Sequence, residues 1–225
     1  MQNKQYFLDF LSGQGRVNVI FEPFIRRSHT EALIWRRGPH LWNTPAAYAA
    51  TLVALAPRTR TDMVFCDMRM FVGSEKEELI RAIESWRNTE GIGFGVICDN
   101  EQDLSIAEAS PAVCTAAVYG NAVSNRVPVI RMDGILAEAI ARGDAGWYAG
   151  DNAEKALEEA RGRIRILGGL GREFVLQGSP VKIYEKVERL AEKYPGQWAC
   201  GSGFEIPDDH YLELISVLGA FGRIR

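Results

Sequence analysis

The chain has only three histidines, no two of its four cysteines lie close in sequence, and none of its apolar runs is long. Each shortage excludes something. His29, His40 and His210 share no metal-ligand or triad spacing, and Cys66, Cys98, Cys114 and Cys200 form no C-x-x-C or C-x-H pair. Neither a disulfide framework nor a sequence-local metal site is therefore expected, and buried reduced thiols are. No segment approaches the ~18 consecutive apolar residues of a membrane span, and Met1-Gln2-Asn3-Lys4-Gln5-Tyr6 leads into no long apolar run. The expectation is a cytoplasmic protein that does not enter a membrane. With 26 Lys and Arg against 29 Asp and Glu, a net charge of −3, the chain has no basic excess. That removes the field that would attract nucleic acid or anionic lipid. No Gly-x-Gly-x-x-Gly follows the first strand-like run, and Gly168-Gly169-Leu170-Gly171 is not followed by the Lys-Ser/Thr of a P-loop. Those glycines read as a tight turn.

What the chain does have is order. At 225 residues and 47% hydrophobic, it can bury one substantial core as a single domain over 1–225. Strand-like runs rich in β-branched and apolar residues occur at 16–24, 62–68, 92–99, 113–119, 127–132, 146–149, 164–167 and 198–200. Segments of helical period separate most of them, at 44–56, 74–87, 101–109, 135–141, 152–161, 179–193 and 208–220. Only the fourth-to-fifth connection is too short for a full helix. Near-continuous apolar strands alternating with helices indicate parallel strands covered on both faces. Eight such units predict an α/β fold of the (β/α)8 TIM-barrel type, compact and with short loops, since about 200 residues is the lower practical size for that architecture. A doubly wound open sheet is the alternative.

Barrel ligands meet the C-terminal strand ends. Those ends offer Glu22, Arg26 and Arg27; Asp67 and Arg69; Asp99 and Asn100; Tyr119 and Asn121; Arg131 and Asp133; Asp151; Glu173; and Ser202 and Glu205. Arginines from several strands facing one mouth would hold carboxylates through bidentate hydrogen bonds, which points to an acidic substrate. The competing reading is structural, because arginine and aspartate at loop starts also pair with each other and cap helices. Asp67 stands apart, since Val64-Phe65-Cys66-Asp67 sets a carboxylate directly after a buried strand. A buried carboxylate requires a partner, either a nearby arginine or a cationic ligand atom.

From Gly168 to Pro207, the Gly-Gly-Leu-Gly turn, Gly178-Ser179-Pro180 before a helix, and Gly201-Ser202-Gly203-Phe204-Glu205-Ile206-Pro207 resemble the C-terminal part of the uroporphyrinogen decarboxylase superfamily. Val127-Pro128-Val129-Ile130-Arg131-Met132-Asp133-Gly134 and Ala145-Gly146-Trp147-Tyr148-Ala149-Gly150-Asp151 are similar to the two preceding strands of that family, and Arg60-Thr61-Asp62-Met63-Val64-Phe65-Cys66-Asp67 to its second. The similarity is densest from Val127 onward and weakest between Gly73 and Asn125. It implies a (β/α)8 barrel. The superfamily's decarboxylases remove acetate carboxyls from a tetrapyrrole without metal or cofactor, and their relatives transfer methyl groups between corrinoid proteins and thiols using zinc.

The two branches leave different marks. The resemblance gives Asp67 the role of the decarboxylase aspartate that faces the pyrrole nitrogens, and Arg27 that of one first-strand arginine. Pro23 stands where the second arginine belongs, and Ser202 where the family carries a histidine. The zinc branch needs His-x-Cys near the fifth or sixth strand and a cysteine in the last glycine turn. Here those stretches read Ile130-Arg131-Met132-Asp133 and Gly203-Phe204-Glu205, and Cys200 only adjoins the turn.

The implied protein is therefore a metal-independent, cofactor-free decarboxylase-like lyase acting on a carboxylate-bearing tetrapyrrole or small molecule, with the homodimeric state of the family's decarboxylases. Asp67 would be catalytic, Arg26, Arg27, Arg69 and Arg131 would hold carboxylates, and Asp133, Ser202 and Glu205 would shape the mouth. The alternatives are a corrinoid-dependent methyltransferase component with an altered metal site, partnered by a corrinoid protein, and a barrel that binds a ligand without turnover. If Asp67 stabilises charge on a ligand, Asp67→Asn abolishes turnover with little loss of thermal stability. Lower stability with unchanged turnover is the mark of a purely structural carboxylate.

Overall fold

In the computed structural model of the protein, the described residues are 3–15, 19–21, 25, 29–31, 42–59, 61, 63–89, 92–132, 136–207, 209, 210, 213, 216, 217 and 219. Eight strands form one parallel sheet: β1 (Val19–Ile20), β2 (Met63–Asp67), β3 (Gly93–Cys98), β4 (Val113–Val118), β5 (Val129–Arg131), β6 (Ala145–Tyr148), β7 (Ile166–Gly168) and β8 (Trp198–Cys200). The spatial order is β1-β8-β7-β6-β5-β4-β3-β2, with every pair parallel. Each strand from β2 to β8 thus lies beside its neighbours in sequence. A doubly wound sheet reverses its strand order at a switch point, and this order has none.

The sheet is curled. Phe21, next to the β1 edge, and Phe65, on the β2 edge, meet edge to face with ring centroids 4.9 Å apart. One buried cluster draws on all eight strands, among its members Val19, Phe65, Ile97, Ala117, Ile130, Trp147, Leu167 and Ala199. These are the inward rows of the pleat, because successive side chains on a strand point to opposite faces. The other rows, such as Val64 and Cys66 on β2 or Ile166 on β7, join two outer clusters beneath the helices. Gly95 sits on the inward row of β3, and a side chain there would collide with the Phe65 ring. The absence of bulk on β3 is what lets β2 fill the interior.

Helices alternate with the strands as the periodicity predicts. Those matching the expected segments are α2 (Pro45–Thr59), α3 (Ser74–Ser85), α4 (Glu101–Glu108), α5 (Leu136–Arg142), α6 (Ala153–Ala160) and α8 (Pro180–Lys193). The last shows the local logic. Ser179 caps it by accepting the Lys182 N–H, Pro180 opens it, and Ile183, Val187, Leu190 and Ala191 form its buried stripe. Two helices are additions to the sequence reading, α1 (Asn3–Leu11) and α7 (Arg172–Gln177). α1 covers the N-terminal end of the sheet and inserts Phe7 and Phe10, both fully buried, into the interior cluster. α7 places Glu173 on an exposed helix rather than at a strand end. Only scattered helical residues of the segment expected at 208–220 are described. No described helix is long and apolar enough to cross a membrane.

All four cysteines are free thiols, and three are buried. Burial pushes the Cys66 thiol up to about 12, with the neighbouring Asp67 charge adding to it. It does the same to Cys98, helped by Asp103, Asp99 and Asp67. An unfolded thiol titrates near ~8.5, so above that pH the unfolded chain releases protons that the folded chain keeps. The stability from these thiols is complete below about pH 8.5 and is lost as pH rises toward 12, at up to about 1.4 kcal/mol per pH unit for each. Urea midpoints measured from about pH 8.5 to 10.5 should fall more steeply for the wild type than for Cys66→Ala/Cys98→Ala. Parallel slopes would refute the assignment.

Candidate functional site

Four of the residues offered by the strand ends come together at the C-terminal end of the sheet: Asp67, Arg69, Tyr119 and Glu205. Asp67 ends β2 on the inward row and caps the 3-10 turn Met68–Met70, its Oδ1 accepting the Arg69 N–H. That turn folds the Arg69 side chain back on its own cap. Nε donates to Asp67 Oδ1 at 2.9 Å and Nη2 to Oδ2 at 2.7 Å, a bidentate, charge-assisted pair. Both side chains are largely but not fully covered, 15% exposed for Asp67 and 28% for Arg69. Of the two partners open to Asp67, the structure supplies the arginine.

Arg69 reaches further than Asp67. Its guanidinium carbon lies 4.6 Å from the centre of the Tyr119 ring, which follows β4, and Nη2 is 3.6 Å from Glu205 Oε1 in the loop after β8. The positive group is thus held between two carboxylates and over an aromatic face. The neighbouring carboxylate, above all Asp67, raises the Arg69 pKa further. Burial pushes the Tyr119 phenol up to about 12, against the pull of Arg69 and with the help of Glu205. Tyr119 is therefore a neutral phenol at physiological pH, able to donate a hydrogen bond. Beneath the pair, the Tyr48 hydroxyl on α2 accepts the Asp67 backbone N–H at 2.9 Å. Burial holds that phenol protonated as well.

Glu205 is delivered by backbone packing. Gly203 has φ +82°, and a Cβ there would lie 2.5 Å from the Tyr148 carbonyl oxygen and 2.7 Å from Gly169 N. Gly168, at φ +86°, would put a Cβ 2.7 Å from Gly203 Cα. The loops after β6, β7 and β8 are therefore in backbone contact, which only glycine permits. Gly168-Gly169-Leu170-Gly171, read from the sequence as a tight turn, is where these backbones meet. Ser202 completes it, its hydroxyl donating to the Phe204 carbonyl at 2.6 Å and accepting the Phe204 N–H at 3.4 Å.

The other picks separate. Ser202 is 1% exposed and holds the turn instead of lining the mouth. Arg131 lies on the row opposite to the inward-facing Ile130 and Met132, where Nε meets Asp144 Oδ2 at 2.6 Å and Nη1 donates to the Gly120 carbonyl at 3.0 Å. That guanidinium ties β4 to β6, and it is a correction to its expected place among carboxylate holders at the mouth. Arg26, Arg27 and Asp133 lie outside the described residues, as do Glu22 and Pro23. Tyr119 was offered by the strand ends without a role, and Tyr48 is the site residue that sequence reasoning did not select. Its place on the inward row of β4, two positions beyond Ala117, is what brings Tyr119 into the site. Tyr48 gave no signal.

A zinc ion, which the resemblance to the methyl-transferring branch would imply, does not fit these residues. Among the described residues no three His, Cys, Asp or Glu are grouped to hold a metal. Cys66 and Cys98 are on outward rows with thiols held protonated, whereas zinc takes thiolates. Cys200 is buried under the helices with Sγ 3.9 Å from the Val217 carbonyl oxygen. His29 is fully buried, its Nε2 2.9 Å from the Pro207 carbonyl oxygen.

The two charges flanking Tyr119 act on it in opposite directions, which makes the site testable without a ligand. Glu205→Gln should lower the Tyr119 pKa and Arg69→Ala should raise it, read by 13C NMR of labelled tyrosine ring carbons on alkaline titration. Shifts of the same sign in both variants would contradict the arrangement.

Among solved structures, the fold is similar to that of a methyltransferase from Methanosarcina mazei, with a TM-score of 0.66 and 12% sequence identity over 99% of this chain and 99% of that one. At that identity the likeness speaks for the fold. No family model matches the sequence, and no curated protein matches it.

Proposed function

We propose that this protein is a closed (β/α)8 barrel of the uroporphyrinogen decarboxylase type that works in methyl-group transfer, with a small-molecule methyl donor or acceptor bound at the mouth formed by Asp67, Arg69, Tyr119 and Glu205. The observation that carries this reading is the end-to-end likeness in fold to a methyltransferase, at a site where Asp67 is already neutralised by Arg69. A tetrapyrrole decarboxylase needs an aspartate whose oxygens are open to the pyrrole nitrogens. Here both oxygens already accept hydrogen bonds from Arg69, which leaves Asp67 less free for that role. A corrinoid protein, seated over the mouth, is the partner that this reading implies.

Methyl transfer between two nucleophiles is an in-line displacement, so the protein's contribution is positioning, exclusion of water and handling of one proton. Arg69 is fixed by Asp67 and cannot swing with solvent, which makes it a rigid donor at the mouth. Tyr119, neutral and beside it, offers a phenolic hydrogen bond to a ligand heteroatom. Glu205, the more exposed of the two carboxylates at 38%, is the group placed to take a proton from a thiol acceptor. No step in this scheme runs through zinc.

Purified protein incubated with methylcobalamin and a panel of small thiols should consume the methylcobalamin, read by its visible spectrum, without added zinc. Arg69→Ala should slow this by about 100-fold, the loss expected for a preorganised charged donor. Release of CO2 from uroporphyrinogen, or turnover that appears only with zinc, would overturn the proposal.

A further inference from the structure

The strongest unassigned feature lies at the opposite end of the sheet from the mouth. α1 and the entries to β4 and β5 border an open cleft of about 580 Å³, lined among others by Lys4, Leu8, Val113, Cys114, Arg126 and Pro128. That volume is within the range of small-molecule sites. Leu8, Val113 and Pro128 give it apolar walls, and the Lys4 stem crosses β3, where a Cβ on Gly93 would lie 2.8 Å from Lys4 Cγ. The Lys4 ammonium thus stands at the cleft while its chain is packed. Neither Lys4 nor Arg126 has a side-chain ion pair with any described residue. Asp9, the carboxylate that shares the cleft, accepts a hydrogen bond from Gln5 at 2.7 Å instead.

Among the described residues neither cation has a carboxylate partner, and both stand beside an apolar hollow. Apolar walls favour the body of a ligand and the cations its head. We infer that this cleft binds an anionic amphipathic small molecule, a carboxylate, sulfonate or phosphate on an apolar body, whose head is held by Lys4 and Arg126. Such a ligand would bridge α1 to the starts of β4 and β5. Because α1 carries Phe7 and Phe10 into the interior, occupancy would clamp the element that closes the N-terminal end. The inference stands apart from the methyl-transfer reading, since none of its residues belongs to the mouth.

Cys114 provides an internal reporter. It lines the cleft and is partly exposed, while the other three thiols are buried. The probe is 8-anilinonaphthalene-1-sulfonate, an anionic head on an apolar body, titrated by fluorescence against the full chain. Saturable one-to-one binding is expected, together with slower alkylation of Cys114 by iodoacetamide and a higher melting temperature. Lys4→Gln/Arg126→Gln should weaken binding at least about tenfold, as loss of charge-assisted hydrogen bonds requires. On the wild-type protein, the neutral analogue N-phenyl-1-naphthylamine should bind at least about tenfold more weakly for the same reason. Unchanged affinity in the double variant, equal binding of the neutral analogue, or no protection of Cys114 would each overturn the site. Co-sedimentation with phosphatidylglycerol vesicles that is lost in the double variant would overturn the small-molecule assignment in favour of a lipid surface.

Discussion

A carboxylate at the end of a buried strand cannot stand alone, and the Asp67–Arg69 pair is how this fold meets that demand. Because the two residues are separated by one position, the pair forms within a single 3-10 turn and needs no distant element to complete it. Its consequences are not local. Neutralising Asp67 fixes the guanidinium over the mouth, where it covers Tyr119 and faces Glu205 across the sheet opening. Three strand ends, those of β2, β4 and β8, are thereby linked by one side chain. Tyr48 ties the same turn to α2 through the Asp67 N–H, so the outer helix layer also bears on the site's position.

A second constraint is volume. An interior shared by eight strands must be filled without colliding, and this chain fills it unevenly. β2 and the β1 end contribute phenylalanines, β3 contributes glycine, and α1 supplies two more rings from outside the sheet. Bulk and its absence are matched strand by strand. The packing explains why the N-terminal helix belongs to the core: without Phe7 and Phe10 the lower interior would be an apolar cavity. Cavities of that kind cost on the order of several kcal/mol in buried aromatic residues.

The strands were legible in the sequence because buried parallel strands are short, apolar and β-branched, and all eight runs hold a strand. What escaped was structure without that signature. α7 is six residues long, too short to show a period, and the polar residues among the rings of α1 hide a helix that buries only one face. The site was half legible. Asp67, Arg69, Tyr119 and Glu205 could be read from strand ends, but which of the arginines would face the mouth depended on pleat parity. Arg131 is next to inward residues on both sides, so it points outward and finds Asp144. Ser202 was named for the mouth but serves its own turn, because a hydroxyl next to glycines bonds that turn more readily than a ligand. Tyr48 comes from a helix nineteen positions before Asp67, and no local pattern encodes that contact.

The glycine-rich ending shows why fold and reaction can part company along one motif. Gly168, Gly201 and Gly203 are fixed by backbone approaching backbone, so a side chain at any of them would strike a main-chain atom that cannot yield. The residues between them face no such limit. Ser202 serves the turn and Phe204 packs against the outer cluster, roles that neither a histidine nor a zinc-binding cysteine is needed to fill. The ending therefore preserves the geometry that brings Glu205 toward Arg69 while leaving the chemistry of the neighbouring positions open. The likeness in fold at 12% identity speaks for the backbone path alone, and the positions that would define a reaction are different ones.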